Sequence, residues 1–473
     1  MAKICVLGAG LNGLTTAMLL ARDGHSVTVL ERDPAEPIGD ADAAWHGWER
    51  RGVSQFRLPH FMLARWTAEL DAELPAVLEE LLARGGLRFD VLDALPGSIS
   101  GARRDGDELL ATITARRPVI EAAVAAAAAN SPGVDVRRGV AVNGLVSGPQ
   151  ARRDVPHVVG LTTVHGERFA ADLVVDAGGR RSALPAWLAA IGAVDPYEER
   201  EDAGFVYYCR HFRAPSGELP ALSAGLLQDY TSLSVLTLPA DNGTWSVALI
   251  VSARDPALRA VRDVDVWSRV VAGYPLAAHW VDGEPLHDGV VPFAGLEDRY
   301  RRFVINGRPV ATGVVAVGDA WACTNPSLGR GASIGLLHGI ALRDVLRDAD
   351  PTDADKFVRR FDEVTAETIE PLYRLTLAYD RHRLAEIDHD IAGDRYRPED
   401  PGWAVTKAMK TLLPSDPDVL RAYLDVVMLR ATPAEALAAR GVVDRVRAAA
   451  SGDHPQYTLP GPDRAGLLAA ARS

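Results

Sequence analysis

Residues 3–31, KICVLGAGLNGLTTAMLLARDGHSVTVLE, constrain the fold more than any other stretch of this chain. A short apolar run leads into Gly8-Ala9-Gly10-Leu11-Asn12-Gly13, and residues 14–22 then repeat apolar side chains at helical spacing. That order predicts strand, turn and helix. Gly8 lets the strand turn sharply, Gly10 lets backbone approach a pyrophosphate, and Gly13 lets the helix pack closely on the strand. The helix start offers unpaired amides and a positive dipole end to phosphates. Residues 26–30 predict a second strand ending in Glu31, at the ~20-residue separation where a carboxylate accepts ribose hydroxyls. A dinucleotide site follows, but the turn serves NAD and FAD alike.

At 473 residues the chain exceeds what one core usually serves, so two or more interlocked lobes are expected. A net charge of −12 argues against a broad basic field for nucleic acid or anionic membrane. The apolar run at residues 3–7 is too short for a secretion signal, and no stretch reaches the ~18 apolar residues of an integral membrane segment. A cytoplasmic protein is expected. Cys5, Cys209 and Cys323 form neither a CxxC pair nor a metal-ligand pattern, which excludes redox-disulfide flavin chemistry and gives no metal site.

Two later segments bear on the nucleotide. Residues 171–182, ADLVVDAGGRRS, read as a strand buried on both faces whose end returns to the nucleotide crevice. Residues 313–319 repeat the pattern, and Asn325-Pro326-Ser327-Leu328-Gly329-Arg330-Gly331-Ala332-Ser333 leads into another helix. An acid at a strand's carboxyl end before a helix start suits a second polar group, so Asp319 is a candidate for sugar-like hydroxyls.

With these motifs in order, residues 1–350 resemble the FAD-dependent monooxygenase superfamily with the para-hydroxybenzoate hydroxylase fold. Glu31-Arg32, Arg50-Arg51-Gly52-Val53 and Arg117-Pro118-Val119-Ile120-Glu121 belong to the same resemblance. It implies a mixed α/β fold: a Rossmann-like FAD-binding domain, an inserted antiparallel-sheet substrate domain and C-terminal helices. The implied cofactor contacts are the turn (Gly8, Gly10, Leu11, Asn12, Gly13), Glu31, Arg32, Arg50, Gln55 and Arg117. Asp319 would bind the ribityl chain, and the loop and helix start at Pro326, Gly329, Gly331, Ala332 and Ser333 would face the flavin N1–C2=O edge.

Some departures narrow the branch. Aromatic hydroxylases usually carry a histidine where this chain reads Gly318-Asp319-Ala320-Trp321-Ala322, and Ser333 stands where asparagine is common. The stretch Arg50-x-Gly52-Val53-x-Gln55, with His60 after it, resembles the squalene and polyether epoxidases. The Trp-x-Trp-x-Ile-Pro stretch of flavin halogenases is absent. His60 reads first as a packed or capping histidine and second as a group meeting flavin or substrate.

The domain layout expected is FAD binding at residues 1–182, with a segment inserted at about 60–105, and a substrate sheet at 183–298. FAD binding resumes at 299–350, and helices fill 351–473. Residues 233–238 and 244–251 flank an Asn242-Gly243 pair suited to a tight hairpin. Residues 205–210, Tyr230, Pro292 and Phe293 are candidate pocket-lining positions. Helices are expected at 357–377 and 433–449, and residues 378–390, AYDRHRLAEIDHD, read as a solvated helix face and not as a metal site.

The resemblance implies a monooxygenase of specialised metabolism that inserts one oxygen atom from O2 into a fairly apolar small molecule, by epoxidation or hydroxylation. The reaction would run through a flavin C4a-hydroperoxide, which needs no obligatory side-chain base. No second glycine turn is present, so electrons would come from transiently bound NAD(P)H or a partner flavin reductase. Two alternatives remain at this point: an FAD-dependent reductase or dehydrogenase of a carbon–carbon double bond, and a non-catalytic binding protein on the same scaffold, as in the Rab GDP-dissociation inhibitors.

Overall fold

The computed structural model describes residues 1–348, 353–451 and 456–472, so the boundary expected at 350/351 lies outside the described residues. In chain order, the elements that position the site begin with β1 (Lys3–Leu7), α1 (Leu11–Arg22), β2 (Ser26–Glu31), α2 (Arg117–Ala129), β3 (Val134–Arg138) and β4 (Leu173–Asp176). They continue with β5 (Phe205–Arg213), β6 (Leu227–Asp229), β7 (Ser234–Pro239), β8 (Thr244–Ser252) and β9 (Val314–Ala316). Helices α3 (Gly331–Asp348), α4 (Glu370–Ile391), α5 (Pro401–Leu412) and α6 (Pro417–Val427) follow.

Strands β9-β4-β1-β2-β3 form a five-stranded parallel sheet. Ile4–Leu7 and all of β4 and β9 are buried, as their near-continuous apolar runs require of strands covered on both faces. Helices α1 and α2 pack on this sheet, and the alanines of α2 allow the close approach.

A six-stranded antiparallel sheet runs β6-β7-β8-β5 and ends in two short strands, Glu284–Pro285 and Val291–Phe293, both paired to β5. Between β7 and β8, Asn242 and Gly243 both have positive φ, 51° and 65°, and the Thr244 N–H donates to the Asp241 carbonyl at 3.0 Å. This is the tight hairpin turn expected from Asn-Gly. Its Asp241 carboxylate takes the buried Arg116 guanidinium at 2.6 Å and the Arg116 backbone N–H at 2.6 Å. The sheet tip is thereby fastened to the residue preceding Arg117.

The C-terminal region is helical, with two differences from expectation. The helix expected at 433–449 is split at Gly441, whose φ of +64° ends the first segment, Pro433–Ala439, before Val443–Ala450 begins. Residues 378–390 are not a solvated face: Asp380, Arg383 and Glu386 are buried on α4. No described helix is long and apolar enough to cross a membrane, and no group of described side chains could hold a metal ion.

Candidate active site

At the first turn each glycine meets a different constraint. Gly8 has φ +92° and a Cβ there would lie 2.8 Å from the Ala177 carbonyl oxygen. A Cβ on Gly13 would lie 1.9 Å from the Gly8 oxygen, so Gly13 is a packing position, and it does not line the cavity. Around Gly10 the space is open, with nothing within 4 Å of a built Cβ. The first intrahelical bond is Leu14 N–H to Gly10 C=O at 3.0 Å, which leaves the amides of Leu11, Asn12 and Gly13 free of helix partners. The Asn12 side chain is wedged between Gly318 and Gly335, where added Cβ atoms would fall 2.5 and 2.0 Å from its Nδ2. It joins the first turn to the last part of the site.

The acid at the end of β2 is already organised. Glu31 accepts the Ala9 N–H at 2.9 Å, the Asp33 N–H at 2.9 Å and Arg50 Nη2 at 3.0 Å. An ionised carboxylate has about four acceptor directions, so one remains for a hydroxyl from the cavity. Arg50 is 5% exposed and also meets the buried Glu121 at 2.7 Å. Arg117 donates Nε to the other Glu121 oxygen at 2.7 Å and Nη1 to His60 Nε2 at 3.3 Å. Glu121 therefore holds both arginines, a role the sequence reading did not assign to it. Arg32 is exposed at the rim beside Gly52, and Gln55 lies on the lining.

His60 is fixed by the same contacts. With Nε2 accepting from Arg117, its Nδ1–H donates to the Leu58 carbonyl at 2.9 Å. Burial and the neighbouring guanidinium push its pKa down to about 3, so it is neutral at physiological pH. Both nitrogens are engaged, and no proton-transfer role follows from this arrangement.

At the end of β9 the chain turns through Gly318, φ +57°, and presents Asp319 to the cavity. Among the described residues no group hydrogen-bonds the Asp319 carboxylate, and burial raises its pKa against the pull of Arg117 and Arg180. Behind the turn, the Gly318 N–H donates to His338 Nδ1 at 3.3 Å, and His338 Nε2 faces Thr365 Oγ1 at 3.1 Å. The first bond of α3 is Ile334 N–H to Arg330 C=O at 2.9 Å, so the amides of Gly331, Ala332 and Ser333 are unpaired within the helix. The Ser333 side chain is 1% exposed and off the cavity lining, so only its backbone can serve there.

The loop before α3 is fastened from below by α4. Ser327 Oγ donates to Asp380 Oδ1 at 2.5 Å, and Asn325 Nδ2 donates to the same oxygen at 3.2 Å. Tyr207 from β5 donates to Asn325 Oδ1 at 2.7 Å, so this strand supports the loop and does not line the cavity.

His338 gives a pH test. Burial holds its pKa near 3 against 6.5 for a free histidine, so its proton is bound more tightly in the unfolded chain. Its contribution to stability is present above pH 6.5 and is lost as pH falls toward about 3. Between pH 6 and pH 5 the wild type is expected to lose stability relative to His338→Gln by up to ~1.4 kcal/mol per pH unit, read by urea denaturation. A difference between the two proteins that does not change with pH would remove His338 from this role.

These elements enclose one cavity of about 950 Å³, which runs from the first turn and Glu31 past Arg117 and Asp319 to the loop at Pro326, Gly329, Gly331 and Ala332. It continues between Leu226, Leu236 and Leu238 of the antiparallel sheet and Leu420, Leu424 and Met428 near α6. Of the lining positions expected in the substrate sheet, Phe293 is on the wall, whereas residues 205–210, Tyr230 and Pro292 are not. The C-terminal helices supply a wall that the sequence reading missed.

Residues 3–121 match the family model described as FAD dependent oxidoreductase. Protein Rv3254 of Mycobacterium tuberculosis is 29% identical over 410 residues, covering 80% of this chain and 81% of its own length. PqsL of Pseudomonas aeruginosa, described as a probable FAD-dependent monooxygenase, aligns with a TM-score of 0.57 at 18% identity, over 83% of this chain and 98% of PqsL. A triple mutant of the flavin-dependent brominase Bmp2 aligns with a TM-score of 0.57 at 15% identity, over 94% of this chain and all of the brominase chain (100%). The match over residues 3–121 shows that this segment is similar to FAD-dependent oxidoreductases, and the structural likenesses give the chain the fold shared by PqsL and Bmp2.

Proposed function

We propose that this protein is a monooxygenase that transfers one oxygen atom from O2 to a fairly apolar small molecule, by epoxidation or hydroxylation. The observation that carries the reading is the continuity of the cavity from a preformed nucleotide turn, past an unpartnered Asp319, into a compartment walled by leucines. Bound FAD supplies the oxygen-activating chemistry once reduced, with electrons from NAD(P)H or a partner flavin reductase.

The chain's own residues do the rest. The turn amides and Glu31 would hold the ADP half, with Arg32, Arg50 and Gln55 beside it, and Asp319 would accept ribityl hydroxyls. Arg117, on the cavity lining between them, would contact the cofactor. The free amides at the start of α3 would stabilise negative charge on a reduced flavin bound there. The apolar wall keeps water from the reacting oxygen, and oxygen transfer to π electrons requires no side-chain base. A neutral, doubly engaged His60 is compatible with that chemistry.

The test is to reduce the FAD-loaded protein, admit isotopically labelled dioxygen, and assay candidate alkenes and electron-rich rings. One labelled oxygen atom in a product, with hydrogen peroxide falling in proportion, is the expected result. Peroxide accounting for all electrons with every compound would count against it, and turnover without oxygen would establish double-bond reduction in its place.

A further inference from the structure

The cavity wall contributed by the C-terminal helices contains a polar group that the flavin site does not use. Lys410 of α5 is 8% exposed and places Nζ on Asp229 of β6 and on the Tyr379 hydroxyl at 2.6 Å. Asp229 also receives Ser234 Oγ at 2.5 Å and the Tyr379 hydroxyl at 3.0 Å, and faces the Arg383 guanidinium at 3.5 Å. The Tyr457 proton is likewise committed, to Glu386.

Two donors on this wall are not committed. The Tyr423 hydroxyl faces the Lys410 ammonium, which can occupy its oxygen, and its proton has no acceptor among the described residues. Gln228 is 2% exposed and its oxygen is occupied by the Tyr230 hydroxyl at 2.9 Å. Its amide N–H groups have no acceptor among the described residues, and the residue lines the cavity. The wall thus offers two donors and a cation to the cavity, beside an Asp229 carboxylate that is held by Lys410, Ser234 and Tyr379.

The buried charges around it are unequal. Among the described residues, Lys410, Lys407, Arg383 and Arg330 face Asp229, Glu386 and Asp380, with Asp298 beyond Asp380. Arg330, 6% exposed, is held by Thr376 Oγ1 at 3.2 Å and the Val426 carbonyl at 3.4 Å, and its Nε is buried without a partner among the described residues. Burial also pushes the Asp380 carboxyl up to about 8, which enlarges the positive excess at neutral pH. Buried charge of one sign is costly unless a counter-charge meets it.

We infer that Tyr423, Gln228 and Lys410 form a binding subsite for a carboxylate at one end of the substrate, whose apolar body extends along the leucine wall toward the flavin loop. The assignment rests on the proposed oxygenase reading, since the carboxylate is the handle of that reaction's substrate. The geometry relating the two sites is fixed by one helix: Thr376 and Asp380 of α4 hold the flavin loop, and Tyr379 and Arg383 of the same helix hold the Lys410 cluster.

The experiment is a calorimetric titration of the FAD-loaded full-length protein with naphthoate, naphthylmethanol and naphthylmethylammonium. Naphthoate is expected to bind about tenfold more tightly than the alcohol, the worth of a hydrogen bond to a charged group, with the ammonium weakest. Tyr423→Phe removes one hydroxyl at almost constant volume and is expected to erase most of that preference while the protein keeps its FAD. Equal affinity for the three probes, or a preference unchanged in both Tyr423→Phe and Gln228→Leu, would overturn the subsite. A protein that keeps FAD but shows no preference sinks the subsite alone. One that shows the preference yet transfers no oxygen keeps the carboxylate site and sinks the oxygenase reading.

Discussion

A Gly13→Ala variant is expected to lose stability and most of its FAD, whereas Gly10→Ala folds as well as the wild type and loses only the cofactor. Both positions belong to the same turn, and their difference is steric. In a helix, alanine is favoured over glycine by ~1 kcal/mol, so any loss at Gly13 must come from what the methyl group meets. It meets the Gly8 carbonyl oxygen at 1.9 Å and the Ala177 Cβ at 3.3 Å, which requires α1 to move off the β1–β4 layer. Overpacking of this kind costs ~1–3 kcal/mol and more where backbone must shift. Gly10 is different. Its φ of −83° and ψ of −179° suit any residue, and a methyl group there points into open space. Apo stability should hold or rise slightly, because alanine restricts the unfolded chain. FAD affinity should fall at least about tenfold, ~1.4 kcal/mol, because the added methyl fills space the pyrophosphate needs. Thermal denaturation of the apoproteins and fluorescence titration with FAD read the two effects separately. Wild-type FAD affinity in Gly10→Ala would place the pyrophosphate elsewhere.

The parts of this molecule that were legible in sequence are those whose cause is local. The glycine turn, the apolar strands β1 and β4, and the Asn242-Gly243 hairpin each follow from the steric and burial needs of a few consecutive residues. Glu121 was not legible, because four residues after Arg117 it reads as an ordinary helix ion pair. Only the tertiary fold brings Arg50 to its second oxygen. Residues 378–390 misled for a related reason. Charged residues usually mark a solvated face, but Asp380, Arg383 and Glu386 are buried with partners from the sheet, the loop before α3 and α5. Composition shows the charges and not their partners. The expectation for residues 205–210 failed through sheet order: β5 lies inside the sheet between β8 and the two short strands, while β6 at the edge and β7 beside it supply the cavity wall.

Replacing Glu121 with alanine is expected to cost ~3–5 kcal/mol, because it strands the buried Arg50 and the part-buried Arg117. Glu121 is 2% exposed and takes Arg50 Nη1 and Arg117 Nε at 2.7 Å each. Without it, Arg50 keeps Glu31 at 3.0 Å and Asp33 at 3.6 Å, so its loss is partial. Arg117 keeps only the neutral His60 ring at 3.3 Å and is free to swing into the cavity or out to solvent. Glu121→Gln retains an acceptor of the same shape and should cost less than alanine while still weakening FAD binding. The discriminating variant is Arg50→Met with Glu121→Leu, which removes the Arg50–Glu121 pair together. A buried pair replaced by apolar side chains of similar size often leaves stability near the starting value, so this double variant should recover part of the loss. FAD affinity should not recover with it, because Arg50 is absent and Arg117 is still unheld. Urea denaturation and FAD titration across the four proteins test this. An alanine variant within ~0.5 kcal/mol of wild type would mean that the two guanidiniums need no buried anion between them. Recovery of FAD binding in the double variant would mean that neither arginine acts on the cofactor. Expected instead is a split, in which folding tolerates an apolar replacement here and cofactor binding does not.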